Sequence, residues 1–385
     1  MAVALRRRPQ TGLVLEQISE EVTQLDEEIF FRINSTQLSR EQAERLAAPE
    51  RVYPHQKEVL AVHWHPEFIP LELIEKRIER MFPNQERALV IPTQHNEFLS
   101  LSGYSGAEVD CYSRGFNQKV QLLLHLRESE LQGAHILKSM VEHTRQYRAS
   151  QLFDFIRSIT QPQEERLEWA ARETGADEDL VRFVQLYVKK IQKLLDGHLG
   201  SLSQEMIKNK LLRNFLDELR SEYGDQLIDR AQTFLRAVKS LVKANFSLSF
   251  FYRTSEVIEE ARKHCAGVVV PHPEQFWPIL LADYDVDGYE VWNPQSQRYT
   301  EFLISAVQRK NRALEASQRA LLIFMGDDTH MAEKAKSIPE QEADKAQREI
   351  GLQPAWEDLD IRKALTKAGL GRRRVIDEYR ARLDG

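Results

Sequence analysis

Two periodicities divide the chain. Short apolar runs, each closed by polar or acidic residues, predict buried strands over 57–62, 88–91, 106–110, 120–126, 267–270, 288–292 and 321–325. Between them, apolar residues three and four apart predict helices. Leu73, Ile74, Ile78 and Met81 share one face over 71–81, and a second helix covers 301–315. From about 134 to 244 the strand pattern stops. Leu180, Val184, Tyr187, Val188, Ile191 and Leu195 keep helical spacing. So do Leu211, Leu212, Phe215 and Leu219, then Ile228, Phe234, Leu235, Val238 and Leu241. Gly197, Gly200 and Gly224 punctuate that stretch.

The same pattern gives the flanks. Ile18, Val22, Leu25 and Ile29 predict a helix over 16–31, and Ser39-Arg40-Glu41-Gln42 resembles a capping box opening a short helix. Beyond Met331 the chain is charged and helical in pattern. Gly369 and Gly371 break it before Arg372-Arg373-Arg374 starts a last helix. The predicted architecture is α/β. A strand-rich domain over 51–133 and 246–331 is interrupted by an all-helical insertion over 134–245, with a helical flank over 1–50 and a helical tail over 332–385.

Composition narrows the function classes. The 385 residues are 42% hydrophobic and 29% charged, and 53 basic residues against 59 acidic ones give a net charge of −6. No global positive field draws such a chain to nucleic acid or a membrane surface. No apolar stretch has the length of a membrane span, and the start lacks the apolar core of a signal peptide. Cys111 and Cys265 are the only cysteines, which argues against a disulfide framework. The expectation is a cytoplasmic protein with no membrane partner.

The chemistry lies at the strand ends. His63-Trp64-His65 follows the first run, and strand alternation puts both imidazoles on one side with Trp64 opposite. His95 follows the second strand, Glu108 lies in the third, His125 in the fourth, His272 follows the fifth, and Asp328 and His330 follow the last. In parallel β/α architectures the strand C-termini share one face. His63, His65, His95, Glu108, His125, His272, Asp328 and His330 are thus predicted to converge as ligands of divalent metal.

These segments resemble the polymerase-and-histidinol-phosphatase (PHP) superfamily of metallophosphoesterases. Thr93-Gln94-His95-Asn96 is similar to its T-D-H-x segment, Gly106-Ala107-Glu108 to its G-x-E motif, and Val270-Pro271-His272-Pro273 to its A-H-P segment. Gly288-Tyr289-Glu290-Val291-Trp292-Asn293 is similar to its G-x-E-x-x-N strand, and Gly326-Asp327-Asp328-Thr329-His330 to its closing G-x-D-x-H. The resemblance covers 52–331 apart from the insertion. It implies a distorted seven-stranded β/α barrel holding two or three ions of zinc, manganese or iron. The eight residues above would be the ligands, Glu108 the bridging carboxylate, and Glu290 and Asn293 supporting residues. The chain departs from the family where a further ligand is expected after the first pair. There 66–71 ends in Leu71 and offers only Glu67.

Such a cluster predicts a phosphoesterase that hydrolyses a phosphate ester with a metal-activated water. Asp328 and His330 are assigned to catalysis. A phosphorylated substrate calls for a cationic clamp. Arg114 is the first candidate, with Arg253 and Arg298 behind it. Two alternatives stand beside this reading. One is a nuclease whose insertion holds a nucleic-acid strand through Lys189, Lys190, Lys208, Lys210 and Arg213. The other is a binding or assembly module that docks a protein partner through the insertion.

Overall fold

The seven apolar segments do form strands, but they are divided between two sheets, and the segments carrying His65 and His330 pair as a third. The structure is a computed structural model that describes residues 18–161, 164–315, 318–367 and 369–385. β1 (Glu58–Ala61) and β3 (Arg87–Val90) form a parallel pair with Leu60 opposite Leu89. The largest sheet contains β4 (Gln94–His95), β5 (Leu99–Leu101), β6 (Tyr104–Ser113), β7 (Gln118–Arg127), β8 (Gly267–Val270), β9 (Gly288–Trp292) and β10 (Leu322–Met325). Its spatial order is β10-β9-β8-β7-β6-β4, with β5 on β6. β2 (Trp64–His65) and β11 (Thr329–His330) form a third, parallel pair. The fold is mixed α/β, and among the described residues no single ladder closes the strands into one barrel.

An all-parallel set fails at one hairpin. β6 and β7 are antiparallel from Tyr104–Arg127 to Ser113–Gln118, and β7 is antiparallel to β8 as well. The reversal takes place in Arg114-Gly115-Phe116-Asn117, where Asn117 has φ 48°. Glycine and a left-handed asparagine are tight-turn chemistry. Consequently the C-terminal end of β7, with His125, lies beside Gly106 and Gly267, the starts of its neighbours.

The contacts define two units, Met1–Thr36 with Gln146–Ser247, and Gln37–Arg145 with Leu248–Gly385. In the second, Leu60, Leu89, Val109, Leu122, Leu124, Val268, Tyr289 and Ile323 form the core between strands and helices. Each such side chain contributes roughly 1.5–3 kcal/mol by leaving water. The helix Leu71–Met81 buries Ile74, Ile78 and Met81 as its period requires. The helix His135–Arg145 belongs to this unit too, because Leu137, Met140 and Val141 join the core of Val109 and Val257.

The C-terminal helix, Arg372–Asp384, is a floor under the strand starts and not a loose tail. Arg372 Nη1 donates to Glu58 O (3.1 Å), Arg382 Nη2 to Ala320 O (2.7 Å), and Arg380 to Ala88 O. Tyr379, fully buried, reaches His125.

The helical unit has its own core. Phe183, Val184, Val188 and Ile191 of Glu178–His198 meet Leu212 and Phe215 of Lys210–Glu218 and Phe234, Leu235 and Val238 of Asp225–Asn245. The helix Gln24–Ile33 adds Ile29 and Phe30 to it. That helix starts at Thr23, not earlier, because Thr23 and Asp26 form a reciprocal capping box. Asp26 also holds Lys190 Nζ (2.8 Å) in a buried pair, so Lys190 is not presented to a nucleic-acid strand. Among the described residues no helix is long and apolar enough to cross a membrane.

Candidate metal centre

Strand register brings the predicted ligand residues together in pairs. The buried run Val59–Val62 leads into His63-Trp64-His65, where Trp64 fills a hydrophobic cluster with Ile74 and Met81. The two imidazoles lie on the other side, 5.4 Å apart between ring centroids. On the β2–β11 pair His65 stands opposite His330, and their rings stack at 4.4 Å. On the β4–β6 pair His95 stands opposite Glu108, with His95 Nδ1 2.5 Å from Glu108 Oε2. His272, just past β8, places Nε2 3.4 Å from Glu108 Oε1.

Asp328 gathers the rest. Its Oδ1 lies 3.5 Å from His65 Nε2, 3.6 Å from His330 Nε2 and 3.7 Å from His63 Nε2. Its Oδ2 accepts from Gln295 Nε2 (2.7 Å) and Arg348 Nη1 (2.9 Å). Glu290 orients the inner histidine: Oε1 meets His63 Nδ1 at 2.8 Å and Oε2 accepts from His272 N at 2.7 Å. Asn293 Nδ2 reaches the same Oε2 at 3.5 Å, and its Oδ1 accepts from Gln295 N. Gly326 is required beside them, since a Cβ there would overlap Glu290 Oε1 and lie 2.9 Å from His63 Nδ1.

The loops that aim these side chains are strained. Glu67 (φ 56°), Asn96 (φ 53°), His272 (φ 25°) and Asp328 (φ 46°) are left-handed without being glycine. Each such residue costs on the order of 1–3 kcal/mol and persists only where its surroundings fix it. Asn96 shows how: its side chain donates to Asp110 Oδ2 (2.8 Å) and accepts from Asp110 N (2.9 Å).

Seven of the eight ligands expected from sequence thus lie in one cluster. His125 does not. Its Nε2 is 2.9 Å from Val62 O and its Nδ1 2.7 Å from Tyr379 OH, so both ring nitrogens are used inside the protein. Burial pushes its pKa down to about 3, and the neutral ring donates to the carbonyl and accepts from the phenol. The antiparallel course of β7 is the cause. Arg114 is displaced too: it is exposed in the β6–β7 turn, six residues past Glu108, about 20 Å along an extended strand. Arg253 and Arg298 are exposed as well, the first 3.8 Å from Glu256 and the second over the Tyr299 ring.

Glu67 occupies the region where a further ligand was sought. Its Oε1 is 3.5 Å from His330 Nδ1, and its Oε2 accepts from Ala332 N. Gln94 accepts from Glu67 N (3.1 Å) and so positions that turn. Spacing concealed Glu67 because its left-handed φ folds it back toward the cluster. Arg348 and Gln295 were missed altogether. Neither belongs to a motif, and Arg348 follows the last ligand in a stretch whose composition reads as a tail.

The charges explain how the cluster stays folded. Burial disfavours the Glu108 carboxylate, but His95, His272 and His65 hold it well below the usual range. Asp328 is likewise held down against burial by His330, His65 and His63. Burial opposes the charged His63 ring, yet Glu290, Asp328 and Glu108 raise its pKa to about 10. Against the same penalty Asp328 and Glu67 raise His330 to about 9. Both values lie above the 6.5 of an ordinary histidine. The stability these protons confer is therefore complete below pH 6.5 and lost as pH passes 9 and then 10. Chelated, metal-free protein is expected to melt at progressively lower temperature between pH 6.5 and 10. A flat melting profile over that range would count against this electrostatic account.

Donors in this arrangement fit a cation. His63 Nε2, His65 Nδ1, His272 Nδ1 and Glu108 Oε1 are buried without a hydrogen-bond partner, where each unpaired polar atom is costly. The separations of 3.4–3.7 Å are too long for hydrogen bonds. Two donors about 2.1 Å from one shared ion at a tetrahedral angle stand roughly that far apart. Among the described residues two donor groups meet the distance requirement, His65 with His95 and His330, and His63 with His65 and Glu108.

No protein-family model matches the chain, and no curated protein matches its sequence. Among solved structures, the chain is similar to a protein from Bifidobacterium adolescentis described as a "putative metal-dependent phosphoesterase". The identity is 17%, the match covers 82% of this chain and 97% of that one, and the TM-score is 0.35. So distant a likeness carries no argument about the site.

Proposed function

We propose that the protein is a metal-dependent phosphoesterase whose divalent ions are held by His63, His65, His95, Glu108, His272, Asp328 and His330, with Glu67 beside them. The observation that carries this reading is the set of buried donor atoms left without partners, all within one cluster of histidines and carboxylates. Bound transition-metal ions, two or three of zinc, manganese or iron, would lower the pKa of water in the site and offset charge developing on phosphate oxygens. The chain's own residues then have separable duties. Glu290 holds His63 by its other nitrogen, the usual means of fixing a metal-binding imidazole. Gln295 and Arg348 hold one oxygen of Asp328 and leave the other toward three imidazoles. Asp328 and His330 act as ligands in this reading, with no separate general acid assigned.

The short β2–β11 pairing and the bond from Asp328 N to His63 O (2.9 Å) support a distorted barrel of the PHP type, broken between its short ladders. The expected result is hydrolysis of an aryl phosphate that is lost on chelation, restored by zinc, manganese or iron, and abolished by His63→Ala, His272→Ala or Asp328→Ala. Metal-loaded wild-type protein inert toward aryl phosphates would sink the phosphoesterase reading.

A further inference from the structure

Among the described residues Arg348 is the one arginine that touches the ligand cluster, and only part of its guanidinium is used. Its side chain is 8% exposed. Nη1 donates to both Asp328 Oδ2 (2.9 Å) and Asp328 O (3.0 Å). Nε is buried without a partner, and among the described residues none bonds Nη2 either. Nε and Nη2 form one edge of the planar group, two parallel N–H donors spaced for two oxygens of a carboxylate or phosphate. A buried charged donor without a partner carries a substantial penalty. Here it is retained one carboxylate away from the imidazoles of His63, His65 and His330.

The segment around Arg348 is held rigidly enough to present that edge. Glu349, the next residue, accepts from Arg77 Nη2 (2.6 Å) and Lys334 Nζ (2.9 Å). Gly351 N donates to Asp327 Oδ2 (2.9 Å), and Gln353 Nε2 joins Leu60 O (2.7 Å) to the same aspartate (3.2 Å). The stretch is thereby tied to the first strand, to the helix Leu71–Met81 and to the loop carrying Asp328. Such preorganisation suits a binding group.

The geometry points to Arg348 as the phosphate clamp of the centre: the Nη1 corner fixes Asp328 while the Nε–Nη2 edge receives two oxygens of a tetrahedral phosphate. This rests on the metallophosphoesterase reading and supplies the cation that Arg114 does not. The recognised chemistry is a phosphate dianion, whether it arrives as a phosphomonoester or remains as free phosphate after hydrolysis.

The test uses full-length protein with metal content measured in every sample. Inorganic phosphate binding is titrated by calorimetry, and KM and kcat are measured with an aryl phosphate, for wild type, Arg348→Lys and Arg348→Gln. Lysine keeps a charge for Asp328 but cannot offer the fork. Arg348→Lys is expected to retain its metal yet bind phosphate about tenfold more weakly, with KM rising more than kcat falls. Arg348→Gln should weaken phosphate further. If KM rises while free phosphate binds unchanged, the clamp serves the ester alone. Unchanged phosphate affinity and unchanged KM in both variants would overturn the proposal and leave the metal reading standing. Phosphate affinity that falls only as far as metal is lost would also overturn it, because Arg348 would then serve Asp328 alone. Phosphate binding that depends on Arg348 in protein without metal would support the clamp and count against the metal reading.

Discussion

Glu108→Gln is expected to strip the centre of metal and lower phosphoesterase activity by a factor on the order of 10²–10³ or more, with the fold retained. Glu108 is 1% exposed and its carboxylate lies between His95, His272 and His65. Its Oε2 lies against His95 Nδ1, and its Oε1 lacks a hydrogen-bond partner. Glutamine has the same shape but no charge, and its amide group turns two donors toward imidazoles that require an acceptor or a cation. Loss of the charge also removes what offsets the buried histidines when metal is absent. The metal-free variant should therefore melt below metal-free wild type at neutral pH. Elemental analysis, aryl-phosphate turnover and circular dichroism on one preparation test this together. Native metal content with native turnover would remove Glu108 from the centre.

The second large effect lies away from the ligands. Tyr379→Ala is expected to destabilise the protein by about 3–5 kcal/mol, and Tyr379→Phe by about 1–2 kcal/mol. The Tyr379 ring is fully buried, edge-on to Phe324 at 4.8 Å and to His125 at 5.7 Å. Gly267 has no side chain because a Cβ there would meet the Tyr379 ring and lie 2.8 Å from Leu383 Cδ2. Alanine would leave a cavity at this packed contact. Phenylalanine would leave only His125 Nδ1 without its partner. Since His125 also bonds Val62 O, next to His63, the alanine variant should bind metal less tightly as well. Urea unfolding followed by tryptophan fluorescence measures the difference. A change below about 1 kcal/mol for the alanine variant would mean that the C-terminal helix is not the floor described above.

The residues that could be read from sequence were those whose position follows from periodicity. The run before His63-Trp64-His65 is a strand, 71–81 is a helix, and Ser39-Gln42 is a capping box, because each depends on neighbours a few residues away. The seven side chains that cluster were legible for the same reason: a strand end followed by histidine or acid is a local signal. What escaped was set by chain direction and by contacts distant in sequence. The four-residue turn that makes β7 antiparallel carries its signal in Gly115 and Asn117, and overlooking it put His125 among the ligands. Glu67 was misjudged because a single left-handed φ re-aims it. Arg348 lay beyond reach because its role comes from a loop packed back over residues nearly three hundred positions earlier, as Gln353 on Leu60 illustrates. In the helical unit the amphipathic pattern gave the core faces correctly. It could not show that Lys190 turns inward to Asp26, since a lysine between Lys189 and Ile191 has the same pattern whether paired or solvated.

The most direct test of the central claim is the metal content of the protein purified without added metal. His65 belongs to both donor groups, so it is the residue on which occupancy should depend most. The account predicts at least two equivalents of transition metal by elemental analysis, reduced to a small fraction in His65→Ala. Protein that carries no zinc, manganese or iron, and takes up none on incubation, would contradict it.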